Sequence, residues 1–237
     1  MKYRIYRNYM VLLFLLALFS VLGTESMYEK GRYFGMQKQT LDDPEYRSGF
    51  FSEKMWEQED YLSLECKTFL KNVEKEAIYF PIPESSVDKS LKISFTDSWM
   101  SERKYKGVNG HEGTDIMALR NERGIYPVLS ISDGTVTNKG WLEKGGYRIG
   151  ITSDSGTYYY YAHLESYADL EEGDFVKAGQ LLGYMGDSGY GPEGTVGKFD
   201  VHLHFGIYLY QDENEISFNP YYLLRYLEKD KLKYAYS

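Results

Sequence analysis

Short stretches of alternating apolar and polar residues, separated by glycines, constrain the fold of this 237-residue chain more than any other feature. Alternation with a period of two residues is typical of strands that bury one face, and frequent short strands favour antiparallel pairing over strand–helix–strand units. The sequence therefore predicts a mainly β domain built on an antiparallel sheet. The predicted strands lie at residues 116–119, 126–131, 134–138, 147–152, 157–161, 181–184 and 201–210.

Two helices are predicted outside these strands. The first has apolar positions at spacings of three, four and seven residues, which favours an amphipathic helix over residues 53–75. We interpret it as a helix that packs on the domain behind it, with a regulatory partner or a dimer contact through residues 53–75 as the alternative. Near the end of the chain, Asn219 is predicted to cap a short helix over 221–227, with Pro220 at its first position. The apolar positions of the first helix are Met55, Leu62, Cys66, Phe69, Leu70 and Val73.

The first residues of the chain predict an export signal. Lys2, Arg4 and Arg7 precede an uncharged apolar run over residues 9–22. This run of about 14 residues is shorter than the roughly 20 that usually span a bilayer, which favours a cleavable signal peptide. Because no Ala-x-Ala cleavage site follows, an uncleaved anchor in the cytoplasmic membrane is the alternative. Either way, the rest of the chain is expected outside the cytoplasm.

Charge and cysteine content narrow the classes of function. The net charge of −8 and the pI near 5.2 argue against nucleic acid, which is bound through an excess of Lys and Arg. A single cysteine, Cys66, excludes an intramolecular disulfide and a Cys-based zinc cluster, which leaves His and Asp as candidate metal ligands. The chain is predicted to comprise a signal peptide or anchor at 1–23, a linker with the amphipathic helix at 24–78, and a functional domain at 79–230.

Histidines provide the strongest chemical signal, since all four lie in the predicted β domain. His202 and His204 alternate with apolar residues, so both are predicted on the polar face of one strand, about 7 Å apart. His111 and Asp115 lie four residues apart, where a glycine-rich loop enters a strand. Imidazole and carboxylate groups suit a catalytic zinc, which uses three protein ligands and leaves one position open. Each pattern alone also fits an ordinary surface.

The remaining histidine, His163, ends a tyrosine-rich strand. Period-two alternation places Tyr159, Tyr161 and His163 on one face of that strand. Tyr161 is expected either to line a groove or to pack in the core, and a lone histidine beside aromatic rings also fits a packed position. The presence of every histidine between residues 111 and 204 favours one shared site.

Several motifs occur in a fixed order over residues 80–227. They resemble the M23 metallopeptidase domain, that is, the LytM/lysostaphin family of zinc endopeptidases acting on bacterial cell-wall peptides. The resemblance implies an antiparallel β domain of the duplicated-hybrid-motif type with an open groove. The motifs that carry it are His111-Glu-Gly-Thr-Asp115-Ile, Ala162-His163-Leu164, His202-Leu-His204-Phe, Ser132-Asp-Gly-Thr-Val136 and Gly173–Gly183.

The resemblance also implies roles for the site residues. His111, Asp115 and His204 are implied as the ligands of one Zn²⁺, and His163 and His202 as an unligated catalytic pair. One imidazole would take a proton from water, and the other would hydrogen-bond the oxyanion that develops on the scissile carbonyl. The implied function is hydrolysis of peptide bonds in the stem or cross-bridge peptides of peptidoglycan. A catalytically silent LytM-like scaffold or regulator of cell-wall remodelling is the alternative.

A long loop before the His-x-His motif departs from the family pattern. It covers residues 189–201, where the family places a short Gly/Ser-rich turn, and it is expected to border the groove and alter substrate preference. Asp200 lies on the predicted histidine face, but an exposed loop carboxylate is the preferred interpretation. The preceding Gly186-Asp-Ser-Gly189 is similar to the nucleophile motif of trypsin-like serine proteases, yet Tyr190 replaces the expected second glycine and the His-x-His motif stays unexplained.

Overall fold

A computed structural model describes residues 64–105, 109–211 and 214–237. The predicted signal at 1–23 and the first part of the predicted helix at 53–75 lie outside the described residues. Within the described part of the chain, no helix is both long and apolar enough to cross a membrane. The predicted functional domain is described apart from residues 106–108 and 212–213.

Two helices and a series of mostly short strands form the described residues. Helix α1 spans Leu64–Glu76 and helix α2 spans Tyr221–Leu227. Every strand predicted from the alternation pattern is present, and the strand predicted at 157–161 continues six residues beyond its predicted end. The strands are β1 (Glu84–Ser85), β2 (Ile93–Ser94), β3 (Glu102–Arg103), β4 (Asn109–Gly110), β5 (Thr114–Ala118), β6 (Pro127–Leu129), β7 (Gly134–Leu142), β8 (Gly146–Thr152), β9 (Thr157–Tyr167), β10 (Phe175–Val176), β11 (Leu181–Met185), β12 (His202–Gln211), β13 (Asn214–Phe218) and β14 (Lys233–Tyr234).

The main sheet is antiparallel throughout. Its strands follow the order β10-β7-β8-β9-β12-β5-β2, while β11 pairs with β6 and β9, and β13 pairs with β12. Two small pairs stand apart, the parallel pair of β1 with β14 and the antiparallel pair of β3 with β4. This arrangement confirms the predicted mainly β fold with an antiparallel sheet, a helix before it and a short helix near its end. Since β12 lies between β9 and β5, its side chains have neighbours on both sides.

One face of the central strands forms the core. Leu203, Phe205 and Ile207 alternate along β12 and are buried. Their neighbours on β9 are Tyr161, opposite Phe205, and Tyr159, opposite Ile207. Removing each such apolar side chain from water contributes roughly 1.5–3 kcal/mol to stability. Because the phase of the alternation is set by this core, the residues between them on β12 face the opposite, open side of the sheet.

Helix α1 packs on the sheet domain through its apolar face. Phe69, Leu70 and Val73 are buried, and the Phe69 ring stacks on Phe218 with ring centroids 4.4 Å apart. At the end of the helix, the Glu76 carboxylate accepts hydrogen bonds from hydroxyl groups of the domain, including that of Tyr159 at 2.8 Å. The described part of this helix therefore follows the packing interpretation, and its buried apolar face is covered by the domain itself.

Helix α2 covers the predicted residues 221–227, but its N-cap differs from the prediction. Pro220 is its N-cap, because the Pro220 carbonyl accepts the first intrahelical bond from the Leu224 amide at 3.0 Å. Asn219 still contributes, since its side-chain oxygen accepts a hydrogen bond from the Tyr221 amide at 3.0 Å. The placement of Asn219 as the N-cap and Pro220 as the first helical residue was wrong by one position. Leu224 and its apolar neighbours on the helix bury against the domain.

Candidate metal centre and groove

A groove of about 490 Å³ crosses the open face of the sheet. Tyrosines from β9 and β12 line it, together with polar residues of the β3–β4 hairpin and of the segment after β7. The groove is also lined by all five residues that the sequence predicts for the site: His111, Asp115, His163, His202 and His204. Residues up to 93 positions apart in the chain therefore share one surface.

Glycines keep the floor of this groove open. A Cβ atom on Gly150 would lie 2.1 Å from the Tyr158 hydroxyl oxygen, and a Cβ atom on Gly145 would lie 2.1 Å from the Tyr160 hydroxyl oxygen. Tyrosine side chains thus lie against glycines, and a larger residue beneath them would push them into the groove. The glycines that punctuate the strands in the sequence serve this packing as well as the turns.

Three donor atoms converge at one end of the groove. β12 pairs with β5 in a register that sets His204 directly opposite Asp115, and His111 lies just before β5. His111 Nε2, His204 Nδ1 and Asp115 Oδ1 form a triangle in which each pair of atoms is 3.0 Å apart. Strand pairing thus assembles the cluster that the sequence predicts as metal ligands.

Neighbouring groups orient each member of this triangle. His111 is held through Nδ1, which lies 3.1 Å from the Ser98 carbonyl oxygen and 3.0 Å from the Ser98 hydroxyl oxygen, so that Nε2 faces the triangle. Arg103 Nη2 donates to Asp115 Oδ2 at 2.6 Å, which leaves Oδ1 for the triangle. A Cβ atom on Gly113 would lie 2.5 Å from His204 Cε1, so only glycine allows this ring position.

Electrostatics favour the ionised form of the carboxylate in this cluster. Burial of Asp115 opposes ionisation, but hydrogen bonds with His111 and His204 outweigh it and hold the Asp115 pKa well below its usual range. Burial lowers the pKa of His204, which keeps that imidazole neutral. An ionised carboxylate and a neutral imidazole are the forms in which Asp115 and His204 can ligate a metal ion.

This donor set fits zinc. Two imidazole nitrogens and one carboxylate oxygen are among the ligands zinc takes, with bonds of about 2.0–2.2 Å. Tetrahedral ligands at that bond length lie about 3.3 Å from one another, and the 3.0 Å edges observed here are close to that separation. Three protein ligands are also the number typical of a catalytic rather than a structural zinc.

His163 reaches the groove through a break in strand regularity. Its φ angle is +64°, and the β8–β9 register shifts between Tyr147, opposite Leu164, and Ile149, opposite Tyr161. A bulge of this kind turns the following side chain to the other face of the sheet. The prediction that His163 shares a face with Tyr159 and Tyr161 was therefore wrong, because those tyrosines face the core.

The two remaining histidines lie side by side. Their ring centroids are 4.7 Å apart, and both rings are buried. Nδ1 of His163 lies 2.7 Å from the Ser188 carbonyl oxygen, and Nδ1 of His202 lies 2.7 Å from the Asp200 carbonyl oxygen. His202 Nε2 is 3.7 Å from Asp115 Oδ1, so the pair borders the metal-ligand triangle.

Two expectations about single residues are settled by these contacts. Tyr161 packs in the core, where its hydroxyl accepts a hydrogen bond from the Ile131 amide at 3.0 Å, and Tyr160 lines the groove in its place. Asp200 is an exposed loop carboxylate, as preferred, and accepts a hydrogen bond from the Asn121 side chain at 2.8 Å. Its backbone carbonyl, not its side chain, orients His202.

The long loop at 189–201 borders the groove, as expected. The Phe199 ring lies 4.6 Å from the ring of His163 and 5.0 Å from the ring of His202, measured between centroids. Tyr190 packs edge-on against His163 at 6.0 Å and stacks on Tyr105 at 4.6 Å. These aromatic contacts were missed, because nothing in a loop sequence indicates which of its rings turns inward.

The serine-protease hypothesis has no geometric support. Ser188 is fully buried, and its hydroxyl donates to the Leu164 carbonyl oxygen at 2.7 Å and accepts from the Tyr147 amide at 3.0 Å. The hydroxyl thus uses its proton in a hydrogen bond to β9 and its oxygen in a hydrogen bond from β8. The side chain of His163 contacts the Ser188 carbonyl instead of the hydroxyl. Ser188 therefore has a structural role beside the site.

Known proteins are similar to this chain in fold and in sequence. Residues 109–220 match the profile of peptidase family M23. A solved LytM structure from Ruminococcus gnavus is 55% identical, with a TM-score of 0.68 over 78% of this chain and 74% of that chain. The L-Ala–D-Glu endopeptidase of Bacillus subtilis is 43% identical over 151 residues, or 63% of this chain and 44% of the relative.

A further relative matches a smaller share of this chain. The glycyl-glycine endopeptidase of Staphylococcus capitis is 32% identical over 131 residues, which are 50% of this chain and 33% of the relative. The chain thus spans less than half the length of either endopeptidase. In both cases the similarity concerns part of a longer protein.

Proposed function

This chain belongs to peptidase family M23, a family of metallopeptidases, and from that membership we propose that it is a zinc-dependent endopeptidase acting on peptidoglycan. The proposed substrates are peptide bonds in the stem or cross-bridge peptides. One observation carries the proposal: the triangle of His111, Asp115 and His204 lies in the same groove as the paired rings of His163 and His202. A scaffold has no need for both.

Zinc held by His111, Asp115 and His204 would supply a Lewis acid, which polarises a carbonyl and makes water more acidic. Asp115 contributes a negative charge that partly offsets the charge of the ion. Arg103 restrains this carboxylate by holding its second oxygen at 2.6 Å. Such partners of metal ligands fix ligand orientation and raise metal affinity.

Backbone carbonyls set the protonation of the catalytic pair. A carbonyl oxygen only accepts hydrogen bonds, so Nδ1 of His163 and Nδ1 of His202 carry their protons. In the neutral rings Nε2 then has a lone pair, which can take a proton from an attacking water. Burial lowers the His163 pKa and keeps its lone pair available.

The same imidazoles can act as donors later in the reaction. A ring that has taken a proton presents Nε2–H, which can stabilise the oxyanion or protonate the leaving amine. The Phe199 ring packs against both imidazoles and shields them from bulk water. In such a sheltered site hydrogen bonds to developing charge are stronger than in water.

The relatives suggest which bonds to test. One is named for an L-Ala–D-Glu bond and the other for a glycyl-glycine bond. We propose that this chain cleaves one of these bond types outside the cytoplasm, where residues 1–23 are predicted to deliver it. Attachment to the cytoplasmic membrane through those residues stays a sequence prediction.

The test is the release of soluble peptides from purified peptidoglycan by the full chain loaded with zinc. Mass spectrometry of the products identifies the bond that is cut. His163→Ala and His202→Ala remove the proposed proton carriers without touching the triangle, and Arg225→Gln, on helix α2 and outside the groove lining, is the matched control. We expect release by the wild type and the control, and a large loss in both histidine variants.

Two results would argue against the proposal. Undiminished release by both histidine variants would remove the catalytic pair from the mechanism. No release by zinc-loaded wild type from walls with either bond type would favour the alternative, a catalytically silent scaffold or regulator of cell-wall remodelling.

A further inference from the structure

Arg148 is a cation in the groove that the proposed reaction does not use. It lies on β8 and lines the same groove as the metal-ligand triangle. The side chain is half-buried, and its Nη1 atom is sealed from solvent with no hydrogen-bond partner among the described residues. Because Arg148 lines the groove and no described residue forms an ion pair with its guanidinium, the half-exposed part of this side chain can receive an acceptor that enters the groove.

No ion pair fixes the Arg148 guanidinium within the described ranges. Three acidic residues line the same groove, namely Glu112, Asp115 and Glu215. Asp115 pairs with Arg103 at 2.6 Å, and Glu215 accepts a hydrogen bond from the Tyr210 hydroxyl at 2.6 Å while it keeps its negative charge. Because none of the three is paired with Arg148, its guanidinium stays available to a carboxylate that enters the groove.

Tyrosines around Arg148 stay neutral. Burial raises the pKa of Tyr158 to about 12, although the nearby Arg148 guanidinium opposes the rise. Burial likewise raises the pKa of Tyr160. No tyrosinate forms at neutral pH to balance the arginine. The hydroxyl groups instead provide additional donors for an anionic ligand in the same part of the groove.

Sheet geometry places Arg148 within reach of a peptide at the metal centre. Ile149 on β8 lies opposite Tyr161 on β9, which in turn lies opposite Phe205 on β12, next to His204. Two strand spacings separate β8 from β12, or roughly 10 Å. An extended peptide covers this distance in about three residues, and the arginine side chain shortens it further.

We propose that Arg148 binds a carboxylate of the substrate peptide, on the residue that forms the scissile bond or one adjacent to it. This inference rests on the proposed endopeptidase function and adds the substrate class: peptides with a free carboxylate near the cut. Arginine suits this role because its planar donors match a carboxylate in a two-point interaction. A bond between uncharged residues alone, such as glycyl-glycine, would leave Arg148 unpaired.

The test compares two synthetic peptides that contain an L-Ala–D-Glu bond. One has a free carboxylate on the Glu residue, and in the other that carboxylate is an amide. Hydrolysis by the zinc-loaded full chain gives kcat/KM for each peptide, for wild type, Arg148→Gln and the control Arg225→Gln. Calorimetric binding of both peptides in a His163→Ala background, with and without Arg148→Gln, provides a readout that needs no turnover.

We expect wild type and the control to prefer the carboxylate peptide by about 10- to 100-fold, the range for one charged hydrogen-bonded pair. Arg148→Gln should lose this preference because its kcat/KM falls on the carboxylate peptide and stays unchanged on the amide peptide. The inference would be overturned if wild type had the same kcat/KM for both peptides, or if Arg148→Gln lowered kcat/KM equally on both. Preferential binding without any hydrolysis would support Arg148 as the carboxylate site and contradict the endopeptidase function.

Discussion

The groove contains two arginines whose surroundings differ. Arg103, on the β3–β4 hairpin, donates from Nη2 to Asp115 at 2.6 Å, although its Nε atom is sealed without a partner. Arg148, on β8, has a sealed Nη1 atom and no ion pair within the described residues. A charge that is paired inside the protein fixes geometry, and a charge that is left unpaired in a groove awaits a ligand. In the proposed mechanism, the same residue type serves the metal in one place and the substrate in the other.

The contrast between the two arginines requires, first, that the reaction takes place at the metal-ligand triangle. Removal of zinc by a chelator should abolish peptide hydrolysis, and added zinc should restore it. With zinc present, His163→Ala and His202→Ala should each lower kcat/KM by about 10²- to 10⁴-fold, because each removes a proton carrier. Steady-state kinetics on a defined peptide measures both effects. Activity that survives complete metal removal would break the assignment of the triangle.

The next effect concerns the paired arginine. Arg103→Met should weaken zinc binding by about 10- to 100-fold, because Asp115 loses the partner that orients it. Competition with a chromophoric chelator measures the zinc affinity directly. Arg148→Met is the matched control and should leave that affinity unchanged. Similar losses in both variants would show that general charge, and not orientation of Asp115, controls metal binding.

The position of a metal ligand should also depend on a single glycine. In Gly113→Ala the new Cβ would meet His204 Cε1 at 2.5 Å and the Phe205 carbonyl oxygen at 2.7 Å. We expect a loss of about 1–3 kcal/mol in the free energy of unfolding, together with weaker zinc binding.

A substitution at a second glycine distinguishes the loss of stability from the loss of zinc binding expected in Gly113→Ala. Gly156 has a φ angle of +86°, and a Cβ atom added there would meet no atom within 4 Å. Gly156→Ala should therefore cost about 1–2 kcal/mol through backbone strain but leave zinc affinity intact. Denaturant unfolding and chelator competition on both variants provide the comparison. Unchanged zinc binding in Gly113→Ala would contradict the proposed contact with His204.

The smallest effect is expected for Arg148, the arginine that has no ion pair among the described residues. Arg148→Met removes a sealed donor that has no acceptor and keeps a side chain of similar length. The free energy of unfolding should stay within about 0.5 kcal/mol of wild type or rise slightly. Denaturant unfolding of the zinc-free protein measures it. A loss above about 2 kcal/mol would indicate that Arg148 has a structural partner, which would end the contrast with Arg103.

Much of the fold and of the candidate site could be predicted because both follow from local patterns in the sequence. Period-two alternation located the strands, and the His-x-His spacing put His202 and His204 on the open face of β12. Motif resemblance supplied the remaining members, His111, Asp115 and His163. The error arose where local periodicity fails, because the bulge at His163 reversed its side. For Tyr161 the sequence left both groove and core open, and only its contacts place it in the core.

The arginines show the other limit. Arg103 lies 12 residues before Asp115, and nothing in that spacing indicates that they meet. Arg148 occupies an ordinary strand position, and its lack of a partner depends on what the neighbouring strands bring near it. Neither residue belongs to a motif. Only the contacts distinguish them.

By itself, the sequence predicted the antiparallel β class, the five residues that meet in one groove and the face of β12 that holds two of them. These follow from side-chain chemistry and from a period that needs no long-range information. The tertiary structure alone decided that His163 turns out of the core, that Arg103 is paired and that Arg148 has no ion pair among the described residues. Each of these depends on register and bulges between strands distant in the chain, and those are set by packing of the whole sheet.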